Sequence, residues 1–217
     1  MGVNKVFLKE HEKMNDQPTR LYLVRHGELV TSKEWRYVGQ MDVELNETGK
    51  KQIQNLSSRL SSEQIEMIFS SDLTRTIESA EIIGNKLEII NEPISELREI
   101  NLGVWEGLTL EEIEESFPED LVKRSEDIKD FRIINGESFS DVKKRVIPKL
   151  KDIIEGNVSK RILVIAHGGV NRIIIADALG LDINNIPRLE QNYACLNIID
   201  YYKSGPVVRL INETLSL

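Results

Sequence analysis

The chain is poor in cysteine: Cys195 stands alone in 217 residues. A single thiol excludes an internal disulfide and any multi-thiolate metal site. Cys195 lies in the apolar stretch Ala194 to Ile199 and reads as an inert core thiol. Long hydrophobic runs are also missing, since none approaches the roughly 20 residues that span a bilayer. The first turns of the chain are charged throughout and lack the apolar segment of a secretion signal, so a cytoplasmic protein with no membrane partner is expected. Positive charge is in deficit, with a net charge of -8. Bulk attraction to nucleic acid is therefore not expected, and an anionic ligand must meet a local cluster of cations. The phosphate-cradling and metal signatures are absent as well. Neither GxxxxGK[ST] nor GxGxxG occurs, and His11-Glu12 begins HExxH only for Asn15 to stand where the second histidine belongs.

What is present is an ordinary globular balance, 40% hydrophobic and 29% charged. That suffices for one sizeable core and demands no second domain. Residues 1–19, polar and aperiodic apart from Val6 to Leu8, read as an N-terminal extension; residues 20–217 read as one domain. Two stretches organise that domain. Leu21 to Val24 is apolar and ends abruptly in Arg25, His26 and Gly27; Ile162 to Ala166 ends in His167, Gly168 and Gly169. Short apolar runs of this kind are strands buried on both faces, as in a parallel sheet covered by helices. Ligands of such sheets bind beyond the carboxyl ends of the strands, so His26 and His167 are expected side by side at one rim.

The remaining elements follow from spacing. Leu29 to Leu45 lacks periodicity and reads as a functional loop over the strand end. Asn46 can cap a helix bearing Ile53, Leu56 and Leu60, and Met67 to Phe69 is a short strand. Asp72 offers an N-cap for a helix with Leu73, Ile77, Ala80, Ile83 and Leu87 on one face. Ile89 and Ile90 suggest an edge strand stopped by Pro93. Residues 97–107 are too irregular for a helix, Thr109 to Phe117 is an acidic helix, and 118–136 is a charged, lid-like insert. Ser138 and Asp141 form a capping box for a helix in which Pro148 predicts a kink or early stop. Val170 to Leu179 is a buried helix, and Leu196 to Tyr202 with Val207 to Ile211 is a closing hairpin.

The chemistry of the rim is that of a phosphate. Arg75 falls in the first turn of its helix, where the macrodipole disfavours a cation unless an anion joins it; the alternative is a solvated surface arginine. Arg25 adjoins His26, and a guanidinium fork suits phosphate oxygens. Arg25, Arg75 and an N–H-donating His167 around His26 would form a phosphate pocket, in which a neutral imidazole can attack phosphorus while a backbone carbonyl holds its other nitrogen. A carboxylic acid with raised pKa would protonate the leaving alcohol. Two imidazoles could instead be metal ligands, but zinc wants three or four protein ligands and only His11 remains, so no metal and no cofactor are expected.

Together these motifs make the chain similar to the histidine phosphatase, or phosphoglycerate mutase-like, superfamily over roughly Arg20 to Asp200. RHG is Arg25, His26 and Gly27; the SDLTRTIESA segment holds Arg75; the E-x-x-x-G-x-x-EG segment holds Glu99, Gly103, Glu106 and Gly107; the HGG segment holds His167. The resemblance implies a three-layer α/β/α sandwich with a mainly parallel mixed sheet. It also implies a phosphohistidine on His26, with Glu99 as acid/base and Arg25, Arg75 and His167 binding the phosphoryl group. Gly168, Ser32, Gly39 and Gln40 are expected at the phosphate or substrate, a small-molecule phosphate ester; a homodimer is allowed and not required. Leu29 and Ser32 depart from the hydroxyl and amide residues common in the family. Lys123 with Arg124 stands nearest to the paired arginines of glycerate mutases, and the GVWEGLT wording resembles the phosphatase branch, α-ribazole phosphatases included. Phosphoglycerate mutase-type transfer and a non-catalytic phospho-ligand module are the rivals.

Overall fold

Strand β1 (Thr19–Arg25) runs through the middle of a six-stranded sheet because its apolar side chains are divided between two cores. Leu21 and Leu23 enter one core, and Tyr22 and Val24 the other, all four fully buried. Burying each such side chain stabilises by about 1.5–3 kcal/mol, so a charge placed at Leu23 would be desolvated among hydrocarbons with no partner. The computed structural model describes residues 17–31 and 36–216. The other strands are β2 (Met67–Ser70), β3 (Asn91–Pro93), β4 (Arg161–Ala166), β5 (Leu196–Tyr202) and β6 (Gly205–Glu213). They lie in the order β3-β2-β4-β1-β5-β6. The first four are mutually parallel and the β5–β6 hairpin is antiparallel.

Helices cover both faces of this mixed sheet. Helix α1 (Glu47–Leu60) and α2 (Thr74–Leu87) place Ile53, Leu56, Leu60, Ala80 and Ile83 against Tyr22 and Val24. On the other face, α5 (Phe139–Gly156) and α6 (Gly168–Leu179) pack Val142, Val146, Ile173 and Ile174 against Leu21 and Leu23. Helices α3 (Leu110–Ser116) and α4 (Pro118–Glu126) form the insert between β3 and α5. This is the three-layer α/β/α arrangement with a mainly parallel sheet, and both His-terminated runs are strands with the expected two-sided burial. No described helix is long and apolar enough to cross a membrane.

Local expectations meet several corrections. Asp72 does not cap α2: its carboxylate takes a bidentate pair from Arg98 at 2.7 and 2.6 Å, and the amide of Thr74 is served by Asp42 from the loop at 2.8 Å. Edge strand β3 lies at Asn91–Pro93, leaving Ile90 93% exposed rather than paired. The helix runs on through Pro148 to Gly156 instead of stopping there. Pro148 stands on the exposed side of α5, where the carbonyl that loses its partner can turn to water. The capping box of Ser138 and Asp141 forms in both directions, and a second one, Thr109 with Glu112, starts α3. At the amino end, β1 begins at Thr19, whose hydroxyl donates to Asn157 O at 3.1 Å, so the sheet claims the last residue of the expected extension. Residues 1–16 lie outside the described residues.

Candidate active site

Register builds the site. Strands β1 and β4 pair in parallel with Arg25 opposite Ala166, so the next residue of each, His26 and His167, leaves the sheet at the same level. The amide of His26 donates to Ala166 O at 3.1 Å, and the two rings meet edge to face with centroids 5.3 Å apart. On the far side of β4, β2 ends at Ser70 opposite Ile165 and feeds Arg75 into the same rim through the first turn of α2. Strand β5 starts opposite Val24, bringing Tyr193 alongside, its ring centroid 5.6 Å from that of His26.

Hydrogen bonding sets the two imidazoles to opposite tautomers. Nδ1 of His26 lies 2.8 Å from Gly27 O, and a carbonyl only accepts, so Nδ1 carries the hydrogen and Nε2 keeps a lone pair. Arg75 Nε, which only donates, reaches His167 Nδ1 at 3.2 Å. The neutral ring of His167 therefore carries its hydrogen on Nε2, an atom that is buried and has no acceptor among the described residues. Burial holds both pKa values well below the usual histidine range, and the charges of Arg75 and Arg25 push them further down. At neutral pH one ring is thus a base and the other a hydrogen-bond donor.

The cations are held as firmly. Arg75 is 2% exposed, which rules out the solvated reading; its two terminal nitrogens donate to Met41 O and Gly39 O at 2.7 Å each. Burial lowers its pKa to about 10, which leaves it protonated at neutral pH. Arg25 donates to Gln191 O at 2.6 Å and lies 4.0 Å above the ring centroid of Tyr193, while its Nε is buried without an acceptor.

Glu99 reaches the rim from the irregular segment after β3. One carboxylate oxygen accepts from its neighbour's amide, Ile100 N at 2.9 Å, and the other from Gly169 N at 3.0 Å in the first turn of α6. A Cβ on Gly169 would overlap the Glu99 carboxylate, so only glycine leaves that carboxylate in this position. Behind Glu99, Arg145 of α5 donates to the carbonyls of Glu96, Arg98 and Glu99 at 2.7–2.9 Å, clamping the segment.

A cavity of about 240 Å³ opens over these groups, lined by Arg25, His26, Arg75, Glu99, Gly168 and Gly39 among others. Five arginines and one carboxylate face it, a concentrated positive field in a chain of net charge -8. Gln40 does not line it; its side chain donates to Glu99 O at 3.0 Å and so helps to hold the Glu99 segment. Ser32 lies outside the described residues. Leu29 is buried and lines the cavity while bridging to Leu45. Sequence reasoning missed Tyr193, Arg145 and Arg172, and met Arg124 only as half of a basic pair; none lies in a local pattern that signals its destination. Among the described residues no cluster of three or more metal-ligating side chains occurs. A larger groove of about 480 Å³, between α5 and the β5–β6 hairpin, contains neither histidine nor arginine.

Comparison with known proteins gives this geometry a family. The profile of the histidine phosphatase superfamily (branch 1) matches residues 21–214. The chain belongs to that superfamily. Phosphoserine phosphatase 1 of Hydrogenobacter thermophilus is 32% identical to this histidine phosphatase over 200 residues, covering 91% of this chain and 94% of its own. Phosphoglycerate mutase-like protein 4 of Arabidopsis thaliana is 38% identical over 157 residues, covering 70% and 67%. Among solved structures, a mycobacterial glucosyl-3-phosphoglycerate phosphatase in complex with VO3 superposes with a TM-score of 0.83 at 28% identity, over 90% of this chain and 100% of that one. The four separated motifs thus meet at one rim: Arg25, His26, Arg75, Glu99 and Gly168 line the cavity, and His167 lies fully buried against His26 behind it.

Proposed function

We propose that this histidine phosphatase hydrolyses a small phosphate monoester through a phosphohistidine on His26. The observation that carries the reading is the pair of opposite tautomers: a lone pair on His26 Nε2 beside an N–H on His167 Nε2, between two guanidinium groups. In the first step the His26 Nε2 lone pair forms the N–P bond as the ester P–O bond breaks, and Glu99 gives its proton to the leaving oxygen. Each Glu99 oxygen accepts one backbone N–H, which leaves a lone pair free to carry that proton. In the second step water attacks phosphorus, the N–P bond breaks, and the Glu99 carboxylate takes the water proton. Arg25, Arg75 and His167 neutralise the transferring group, help worth several kcal/mol in total.

The named relatives act, by their names, on phosphoserine and on glucosyl-3-phosphoglycerate, which supports a small phosphorylated metabolite as substrate. The test is turnover of p-nitrophenyl phosphate by the wild type and by His26→Ala, with phosphoglycerate interconversion assayed in parallel. Release of orthophosphate that His26→Ala abolishes supports the reading. Phosphoglycerate interconversion without net hydrolysis points to the mutase, and activity surviving in His26→Ala removes the nucleophile.

A further inference from the structure

A polar pair sits where the sheet has least use for one. Asn197 lies in β5, fully buried and opposite Leu23 of β1, a position where an apolar side chain would pack without needing partners. Its side chain forms a closed amide pair with that of Gln191, itself 2% exposed. Asn197 Nδ2 donates to Gln191 Oε1 at 2.9 Å, and Gln191 Nε2 donates to Asn197 Oδ1 at 2.8 Å. The remaining hydrogens go to Leu23 O at 3.0 Å and Glu190 O at 2.8 Å, so all four side-chain N–H groups are used. Asn197 Oδ1 also accepts from Asn212 N at 2.9 Å, where the β5–β6 register shifts, and Asn212 Oδ1 accepts from Asn192 N at 2.8 Å. A buried network satisfied to this degree rigidifies what it touches.

What it touches is the Arg25–His26 pair. Residues 191–195 lie outside β5 and have no regular secondary structure, and Ala194 stands at φ +54° in the left-handed region. Even so, the segment meets Arg25 and His26 at four points. Gln191 O accepts from Arg25 Nη1 at 2.6 Å, and the Tyr193 ring lies 4.0 Å from the same guanidinium. Cys195 O accepts from Arg25 N at 3.2 Å, and Ala194 N donates to His26 O at 3.0 Å. Among the described residues Gln191 O is the only acceptor of the Arg25 guanidinium, and it belongs to the residue whose side chain is locked to Asn197. We infer that Gln191 and Asn197 are positioning residues: their amide pair fixes the carbonyl that aims the Arg25 fork at the transferring phosphoryl group. This rests on the hydrolytic reading above, and neither side chain touches the substrate.

The test is a double-mutant cycle on kcat/KM for p-nitrophenyl phosphate, run on the full chain at a temperature where every variant is folded. Gln191→Met keeps the backbone carbonyl and fills the volume while removing the amide pair. It should lower kcat/KM about 3- to 30-fold when Arg25 is present, and less than about twofold in Arg25→Met, because an absent guanidinium cannot be misplaced. Orthophosphate affinity, measured by calorimetry on the same four proteins, needs no turnover and should show the same loss of additivity. A pair that only supports the fold would lower the melting temperature and leave kcat/KM unchanged, or lower it equally with and without Arg25; either result overturns the inference. If Gln191→Met does not fold, Asn197→Thr, which suits a strand and keeps a hydroxyl for Asn212 N, is read the same way. Failure of both to fold also overturns it, since the pair is then a part of the core alone. Each of these results leaves His26-dependent hydrolysis by the wild type standing, whereas a wild type without that hydrolysis defeats the reading itself.

Discussion

Lowering the pH from 7.5 to 5.5 should destabilise this protein through two residues. His26 and His167 are buried and kept neutral in the fold, with pKa values well below the ordinary 6.5, by desolvation first and by Arg75 and Arg25 second. In the unfolded chain both rings titrate near 6.5 and take up protons below it. The unfolded state then binds more protons than the native state, so stability is intact above pH 6.5 and declines as pH falls below it. Each ring that stays neutral in the fold throughout this interval costs about 1.4 kcal/mol, and the pair about 2.7 kcal/mol. That is a sizeable fraction of the stability of a typical domain. Carboxylates with lowered pKa values, such as Asp72 and Asp141, begin to contribute only at lower pH. The assay is urea unfolding at pH 7.5, 6.5 and 5.5 for the wild type and for His26→Asn/His167→Asn. Equal pH dependence in the two proteins would refute the assignment of two neutral buried imidazoles.

Three further outcomes follow from the same contacts. Glu99→Gln should lower kcat/KM, which reports the first step, by about 10²- to 10⁴-fold for an alkyl phosphate and far less for p-nitrophenyl phosphate, because only the poor leaving group needs the Glu99 proton; equal losses would remove Glu99 as the acid. Arg145→Met unclamps the carbonyls of Glu96, Arg98 and Glu99 and should lower kcat about tenfold or more with little change in KM, as expected of a positioning residue read by steady-state kinetics. Asp42→Ala removes the bonds to the amide and hydroxyl of Thr74 at the start of α2 and should cost about 1 kcal/mol in denaturant unfolding.

Much of the fold was legible because its central strands are buried on both faces, which turns alternation into the continuous runs Leu21 to Val24 and Ile162 to Ala166. The glycines beside the histidines marked the rim because two of them are sites of close approach: a Cβ at Gly27 would strike the Gly49 backbone, and one at Gly169 would take the place of the Glu99 carboxylate. Caps that close within four residues, as at Asn46 and Ser138, were equally visible. Asp72 misled because its partner, Arg98, is remote in sequence and its capping duty passes to Asp42 in another loop. Pro148 does not stop its helix because it stands on the side that meets water, which the local sequence does not state. Tyr193, Arg145 and Arg172 arrive at the site by tertiary packing alone, and periodicity carries no trace of that.

The most direct measurement is alkaline-quench trapping during turnover of a labelled phosphate ester, followed by peptide mapping at alkaline pH. Transient, base-stable phosphoryl label on the peptide containing His26, lost in His26→Ala and prolonged in Glu99→Gln, is the expected result. Label on the His167 peptide, or full turnover with no labelled histidine at any quench time, would contradict it.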